Sequence, residues 1–171
     1  CLAQRMGAEL LNTGARLILG TQRRGEVVEL LEKAVREGTQ ICAVETLTQA
    51  PFECLNVTEQ EEHTRAILKI QEGCNNHCTY CIIPSVRGPI RSRPLAEIRS
   101  EAERLAAAGF SELVLTGIHL SSYGKDTGGR ETLLDAIAQV QAAEGVRRIR
   151  LGSLEPTIAT AEFAARLKEM D

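Results

Sequence analysis

The run Gly73-Cys74-Asn75-Asn76-His77-Cys78-Thr79-Tyr80-Cys81 decides how this chain is read. Its three thiols can grip one iron–sulfur cluster but cannot complete it, because a cubane of four irons ordinarily takes four cysteine ligands. One iron is then left open. An open coordination position is what separates catalytic metal sites from closed structural ones, so the triplet points to chemistry. Two other readings stand beside it. Three cysteines and His77 could make a closed tetrahedral zinc site, although His77 directly precedes Cys78 and neighbouring residues converge on one small ion only through a strained loop. The cysteines could also be small buried hydrophobes on one face of a helix. Gly73, Asn75 and Asn76 are turn formers, however, and Pro84 follows closely, which argues against a helix through the triplet.

Outward from this run, composition sets the frame. The chain has 171 residues, 43% hydrophobic and 25% charged, with a net charge of −3 and no Trp. That is an ordinary globular balance for one or two domains, with a core of Leu, Ile, Val and Ala. No apolar run approaches the roughly 20 residues needed to cross a bilayer, and no leader pattern precedes the first domain, so a cytoplasmic protein is expected. Six cysteines are too few for a disulfide scaffold and suit a reducing compartment that leaves thiolates free for metal.

Periodicity predicts a short strand over residues 15–20. A helix from Thr21 follows, with Val27, Val28, Leu30, Leu31 and Val35 as its apolar stripe and Gly38 at its end, and then a strand over 40–44. Cys42 lies in that last run and reads as a buried small hydrophobe; Cys54 has no assigned role. Residues 45–64, with Pro51 and the acidic Glu59, Glu61 and Glu62, read as a linker with a domain boundary near Glu62. Beyond it come a strand over 66–71, a helix over 94–108 ended by Gly109, a strand over 112–116, a helix over 132–143, a strand over 148–151 and a helix over 159–168. Strands alternating with helices argue for an α/β fold with a parallel sheet. Loops after the carboxyl ends of such strands carry sites, and here they begin at Gly73, Gly117 and Gly152.

The C-x3-C-x2-C triplet resembles the signature of the radical S-adenosylmethionine (SAM) enzymes. In these the open iron chelates the amino and carboxylate groups of the methionine moiety, and reductive cleavage yields a deoxyadenosyl radical. The likeness continues through Cys81-Ile82-Ile83-Pro84, Arg87-Gly88, Arg91-Ser92-Arg93-Pro94 and Leu115-Thr116-Gly117-Ile118-His119-Leu120-Ser121-Ser122-Tyr123-Gly124. This combination resembles the methylthiotransferases, which insert sulfur and a methyl group at an unactivated C–H bond. The run from Ile118 to Gly124, with Gly20-Thr21-Gln22, is most similar to the branch acting on N6-threonylcarbamoyladenosine beside the tRNA anticodon. The isopentenyladenosine and ribosomal-protein branches carry different runs in that loop.

The resemblance implies an incomplete radical SAM (β/α) partial barrel, about three of six units, over residues 63–171. Residues 1–62 would be the C-terminal part of an α/β N-terminal methylthiotransferase domain. It implies a 4Fe-4S cluster with SAM on Cys74, Cys78 and Cys81, Tyr80 near the adenine, Gly117 near the methionine end of the cofactor, and Glu155 accepting a ribose hydroxyl. The other reading of Glu155 is a solvated loop carboxylate. His119 reads as structural. No side chain is assigned as catalytic in its own right. Cys1, in the opening Cys1-Leu2-Ala3-Gln4 run, matches the last ligand of a second 4Fe-4S cluster whose other cysteines would lie upstream, so the chain reads as a fragment that is inactive alone. The implied partners are a tRNA and an electron donor such as a flavodoxin or ferredoxin, with no membrane. Arg87, Arg91 and Arg93 form a local cation run that reads as a solvated face or as a contact to a phosphate backbone.

Overall fold

The computed structural model describes residues 1–55 and 64–170, which form two compact units. Cys1–Leu55 and Gly73–Pro89 make the first; strand Ala66–Glu72 and the chain from Ile90 onward make the second. The expected boundary near Glu62, with Glu59 and Glu61, lies outside the described residues.

The first unit opens with helix α1 (Leu2–Met6) and contains a β/α/β element. Strands β1 (Leu17–Leu19) and β2 (Ile41–Ala43) pair in parallel, Leu17 opposite Ile41 and Leu19 opposite Ala43. Helix α2 (Val27–Glu37) connects them and ends at Gly38, whose φ of 65° supplies the left-handed cap. It begins six residues later than the sequence predicts. Arg24–Glu26 form a 3-10 turn instead, because the Glu53 carboxylate accepts from Arg24 Nε at 2.7 Å and from the Gly25 amide at 2.8 Å. Only Ala34 of α2 is buried; Val27, Val28, Leu31 and Val35 are exposed. A two-stranded sheet is too narrow to cover a helix face of that width. For the same reason Cys42, on strand β2 with pairing on one side only, is exposed rather than buried as its apolar neighbours suggest.

Residues 45–55 have no regular structure, yet they are not a loose linker. Gln22 and Thr48 exchange hydrogen bonds at 2.7 and 3.2 Å, and Arg23 pairs with Glu45 at 2.9 Å. A short helix, α3 (Ile83–Arg87), completes the unit.

The second unit is a four-stranded sheet in the order β4-β3-β5-β6. Strands β3 (Ala66–Glu72), β5 (Glu112–Gly117) and β6 (Arg148–Leu151) run parallel, as the alternation predicts. Helices α4 (Leu95–Ala107), α5 (Leu133–Gln141) and α6 (Ala161–Lys168) alternate with them. Leu68, Ile70, Leu113 and Leu115 of the strands pack with Ile98, Ala102 and Leu105 of α4 and with Ala136, Ile137 and Val140 of α5. Thr132 and Asp135 cap α5 reciprocally, which fixes its start. Among the described residues no helix is long and apolar enough to cross a membrane.

The sequence gives no sign of β4 (Arg91–Ser92), a two-residue strand antiparallel to β3 that pairs Gln71 with Ser92 and Glu72 with Arg91. It overturns, for Arg91 and Arg93, the reading of the arginine run as a solvated or phosphate-facing patch. Arg91 and Arg93 are both 3% exposed. Arg93 also bonds through its amide to Ile70 O at 2.8 Å, and its guanidinium lies 3.6 Å from the buried Glu101 carboxylate. Pairing on β3 draws these side chains inward, where a buried carboxylate offsets the desolvation of a guanidinium.

Glu112 on β5 collects a different set of cations: Arg150, Arg148 at 3.5 Å and Arg65 at 3.9 Å. The hydrogen bond from Arg150 is the main reason its carboxyl is held below the ordinary carboxylate range. A folded-state value below the unfolded one adds stability above the unfolded value, near pH 4.3 for Glu, and that stability is lost as pH falls through the lower folded value. Glu112→Gln is therefore expected to flatten the acid limb of a stability–pH profile, read from urea midpoints; an unchanged limb would refute the assignment. In the same assay Leu115→Ala, at a fully buried position, should cost about 2–5 kcal/mol, whereas Val28→Ala on the exposed face of α2 should cost no more than about 0.5 kcal/mol.

Candidate functional site

The cysteine loop leaves strand β3 through Gly73, at a φ of 72°. A Cβ there would stand 2.0 Å from Pro89 O and 2.6 Å from Gly88 O, so no other residue fits. The Cys74 amide donates to Gly88 O at 3.1 Å, which folds the loop back on the end of α3. Cys74 is buried at the base, and its sulfur accepts from the Asn76 amide at 3.3 Å. Cys78 is exposed and Cys81 half-buried, with the Cys81 amide donating to Cys78 O at 3.0 Å. No helix runs through the triplet, as the turn formers predict. Pro84 does not close the segment, however. It sits in the first turn of α3, where its missing N–H costs nothing.

Beside the loop is a cleft of about 410 Å³ lined by His77, Cys78, Thr79, Cys81, Pro84 and Ser85. Among the described residues no three His, Cys, Asp or Glu side chains gather tightly enough to enclose one small ion. A closed zinc site needs all its ligand atoms about 2.0–2.3 Å from the metal. Cys78 and Cys81 line the open cleft, while Cys74 is buried and outside its lining. Tyr80 lies beside Cys81 and is 92% exposed.

Cys1 is also exposed, and its sulfur accepts from Arg87 Nε at 3.2 Å. The surrounding bonds hold this arrangement: Thr21 donates its hydroxyl to Val86 O at 3.0 Å and its amide to Gln4 Oε1 at 2.9 Å. The first unit thus brings Cys1 onto the helix that follows the cysteine triplet. Sequence reasoning placed Arg87 with Arg91 and Arg93, and no local signal could have paired it with a residue 86 positions away.

In the second unit the strand ends carry a polar network. The fully buried Gln71 at the end of β3 donates to Glu72 O and accepts from the His119 amide at 2.7 Å. A Cβ on Gly117 would stand 2.8 Å from Gln71 Cβ, so this glycine is already required by packing within the sheet. His119 Nδ1 meets the Ser122 hydroxyl, and Nε2 lies 2.8 Å from Glu155 Oε1. The Glu155 amide donates to Ser121 Oγ at 3.1 Å. Glu155 is therefore an exposed carboxylate with a fixed backbone and an imidazole neighbour, which a free loop residue would lack. Tyr123 closes the same loop from inside: its hydroxyl donates to Arg93 O at 2.6 Å, and burial pushes its phenol well above the ordinary value.

Residues 68–171 match the model of the radical SAM superfamily. Over its whole length the chain is 40% identical to the threonylcarbamoyladenosine tRNA methylthiotransferase MtaB of Bacillus subtilis, covering 38% of that protein. It is 37% identical to the ribosomal protein uS12 methylthiotransferase RimO of Desulfitobacterium hafniense, over 99% of this chain and 38% of the relative. It is 34% identical to the tRNA-2-methylthio-N(6)-dimethylallyladenosine synthase of Clostridium tetani, over 91% of this chain and 34% of the relative. The chain thus spans little more than a third of the relatives it matches.

Gly73→Ala tests the loop geometry directly. It should cost at least about 1–3 kcal/mol, the scale of an imposed backbone strain, and should lower the iron taken up on reconstitution. Full iron uptake at unchanged stability would mean that the two carbonyls do not fix the loop.

Proposed function

Because the chain belongs to the radical SAM superfamily, we propose that Cys74, Cys78 and Cys81 hold a 4Fe-4S cluster with an open iron for SAM. The observation that carries this reading is the loop itself: a backbone that only glycine can start carries one buried thiol, Cys74, and two thiols, Cys78 and Cys81, that line an open cleft. Bound there, the cluster and SAM would supply one-electron cleavage chemistry able to abstract hydrogen from an unactivated carbon. The chain's own residues hold and orient, and no matched acid–base pair is required of them. Cys74 would hold the cluster from its buried position, and Cys78 and Cys81 from the cleft that they line.

The intact protein is, in this proposal, a methylthiotransferase acting on tRNA at N6-threonylcarbamoyladenosine next to the anticodon. The likeness to the Bacillus subtilis relative and the run from Ile118 to Gly124 both support that substrate over a ribosomal protein. Cys1 would be one ligand of a second 4Fe-4S cluster; its place on α3 beside Arg87 is compatible with that role. Tyr80, Gly117 and Glu155 would complete the cofactor contacts, Tyr80 offering a ring to stack on adenine. A flavodoxin- or ferredoxin-type donor would deliver electrons in the cytoplasm. With Arg91 and Arg93 buried, contacts to the tRNA backbone would come from elsewhere in the protein.

Anaerobic reconstitution with iron and sulfide, followed by electron paramagnetic resonance of the reduced chain, tests the proposal. About four irons per chain are expected, with a cubane signal that changes when SAM is added. Cys78→Ala should abolish the signal, and His77→Ala should leave it intact. A single tightly held zinc that is lost in His77→Ala would overturn the radical reading in favour of a structural metal module.

A further inference from the structure

The imidazole of His119 is held at both ends of its residue. Its amide donates to Gln71 Oε1 at 2.7 Å, tying it to the end of β3, and Nδ1 meets the buried Ser122 hydroxyl. With that hydroxyl donating to Nδ1, a neutral ring carries its proton on Nε2. This nitrogen is wholly buried, and its near polar neighbour is Glu155 Oε1 at 2.8 Å. The approach is bent away from a straight hydrogen bond, so distance rather than angle marks the contact. The two side chains differ sharply in exposure, 12% for His119 and 48% for Glu155. One carboxylate oxygen therefore rests against a fixed ring while the other, Oε2, has no hydrogen-bonding partner among the described residues.

A lone exposed carboxylate would sample several rotamers and lose that freedom on binding. Here part of that freedom is already limited, since the Glu155 amide donates to Ser121 Oγ and one carboxylate oxygen lies 2.8 Å from His119 Nε2. The location strengthens the point: ligands of parallel α/β sheets bind outside the carboxyl ends of the strands, and Gln71, His119 and Glu155 come from the ends of β3, β5 and β6. An exposed carboxylate at that edge can accept hydrogen bonds from a ligand's hydroxyls.

We propose that His119 is a positioning residue that aims the Glu155 carboxylate at a ribose hydroxyl of a bound nucleoside. The inference deepens the cofactor reading of Glu155 and rests on it, but it does not need the cluster to be present. It assigns His119 a role beyond core packing. The ring would act through Glu155 and would not touch the ligand itself.

The test measures binding of adenosine, 2′-deoxyadenosine and 3′-deoxyadenosine to the full chain by ligand-observed NMR, with no cluster required. The unsubstituted chain should prefer adenosine to one deoxy form by about tenfold, the scale of a hydrogen bond to a charged acceptor. Glu155→Gln should remove most of that preference. His119→Ala should remove it to a similar extent, and His119→Gln, which keeps an N–H in reach, should restore part of it. In the Glu155→Gln background His119→Ala should change the preference less than twofold, because the two act as one unit. A merely structural histidine would lower all three affinities together and leave their ratio unchanged. That result, independent effects in the double variant, or no preference in the unsubstituted chain would each overturn the proposal. Circular dichroism and urea midpoints of His119→Gln guard against misfolding. Failure of the chain to form a cubane, with the hydroxyl preference intact, would instead count against the radical chemistry and leave this inference standing.

Discussion

Two carbonyl oxygens, Gly88 O and Pro89 O, occupy the space where any residue but glycine would carry its Cβ at position 73. This exclusion turns the chain out of β3 at a positive φ, and the Cys74 amide then closes on Gly88 O. Everything chemical in the first unit depends on that closure. Cys74 is buried, the turn at Cys78–Cys81 leaves the other two thiols exposed and half-buried, and α3 follows with Arg87 donating to the Cys1 sulfur. A loop backbone held by such bonds has already given up much of its conformational freedom on folding.

The rest of the fold shows how readily periodicity can be read and where it fails. Strands β3, β5 and β6 and helices α4, α5 and α6 fall where the alternation of apolar residues places them, because each buries one face against its neighbours in a continuous core. Prediction failed where burial depends on partners distant in sequence. The stripe on α2 reads like α4, yet α4 meets a wide sheet and α2 a narrow one. Cys42 sits in an apolar run but on a strand paired on one side only. The start of α2 is delayed by Glu53, whose carboxylate bonds the preceding turn at residues 28 and 29 positions before it.

Arginine burial is the sharpest instance. In sequence, three arginines within seven residues look like a surface for phosphate. Two residues of antiparallel pairing on β3 reverse that meaning, since they turn Arg91 and Arg93 inward. Glu101 serves two guanidiniums at once, Arg93 at 3.6 Å and Arg104 at 2.6 Å, and is itself nearly buried. Pairs of this kind contribute little net stability compared with apolar residues of similar size, but removing one partner strands the other without solvent. Their effect here is on registration. They tie the residue after β4 to α4, and Ser92 on β4 in turn accepts the Gly124 amide at 2.8 Å and donates its hydroxyl to Asp126.

That last contact bears on how far a loop sequence can testify to a substrate. Most residues of the run from Ile118 to Gly124 are occupied in holding the loop together. Leu120 fills the core, Ser122 fixes the His119 ring, Tyr123 bonds Arg93 O, and Gly124 takes a positive φ against Glu131 O, where no Cβ could fit. Outward of these lie Ile118 and the half-buried Ser121. A substitution in this loop would therefore disturb several contacts at once, because the same few residues bond the loop, strand β3 and strand β4. The histidine illustrates the point: its backbone amide bonds to the end of β3, one ring nitrogen meets Ser122 of the loop, and the other is buried 2.8 Å from the Glu155 carboxylate.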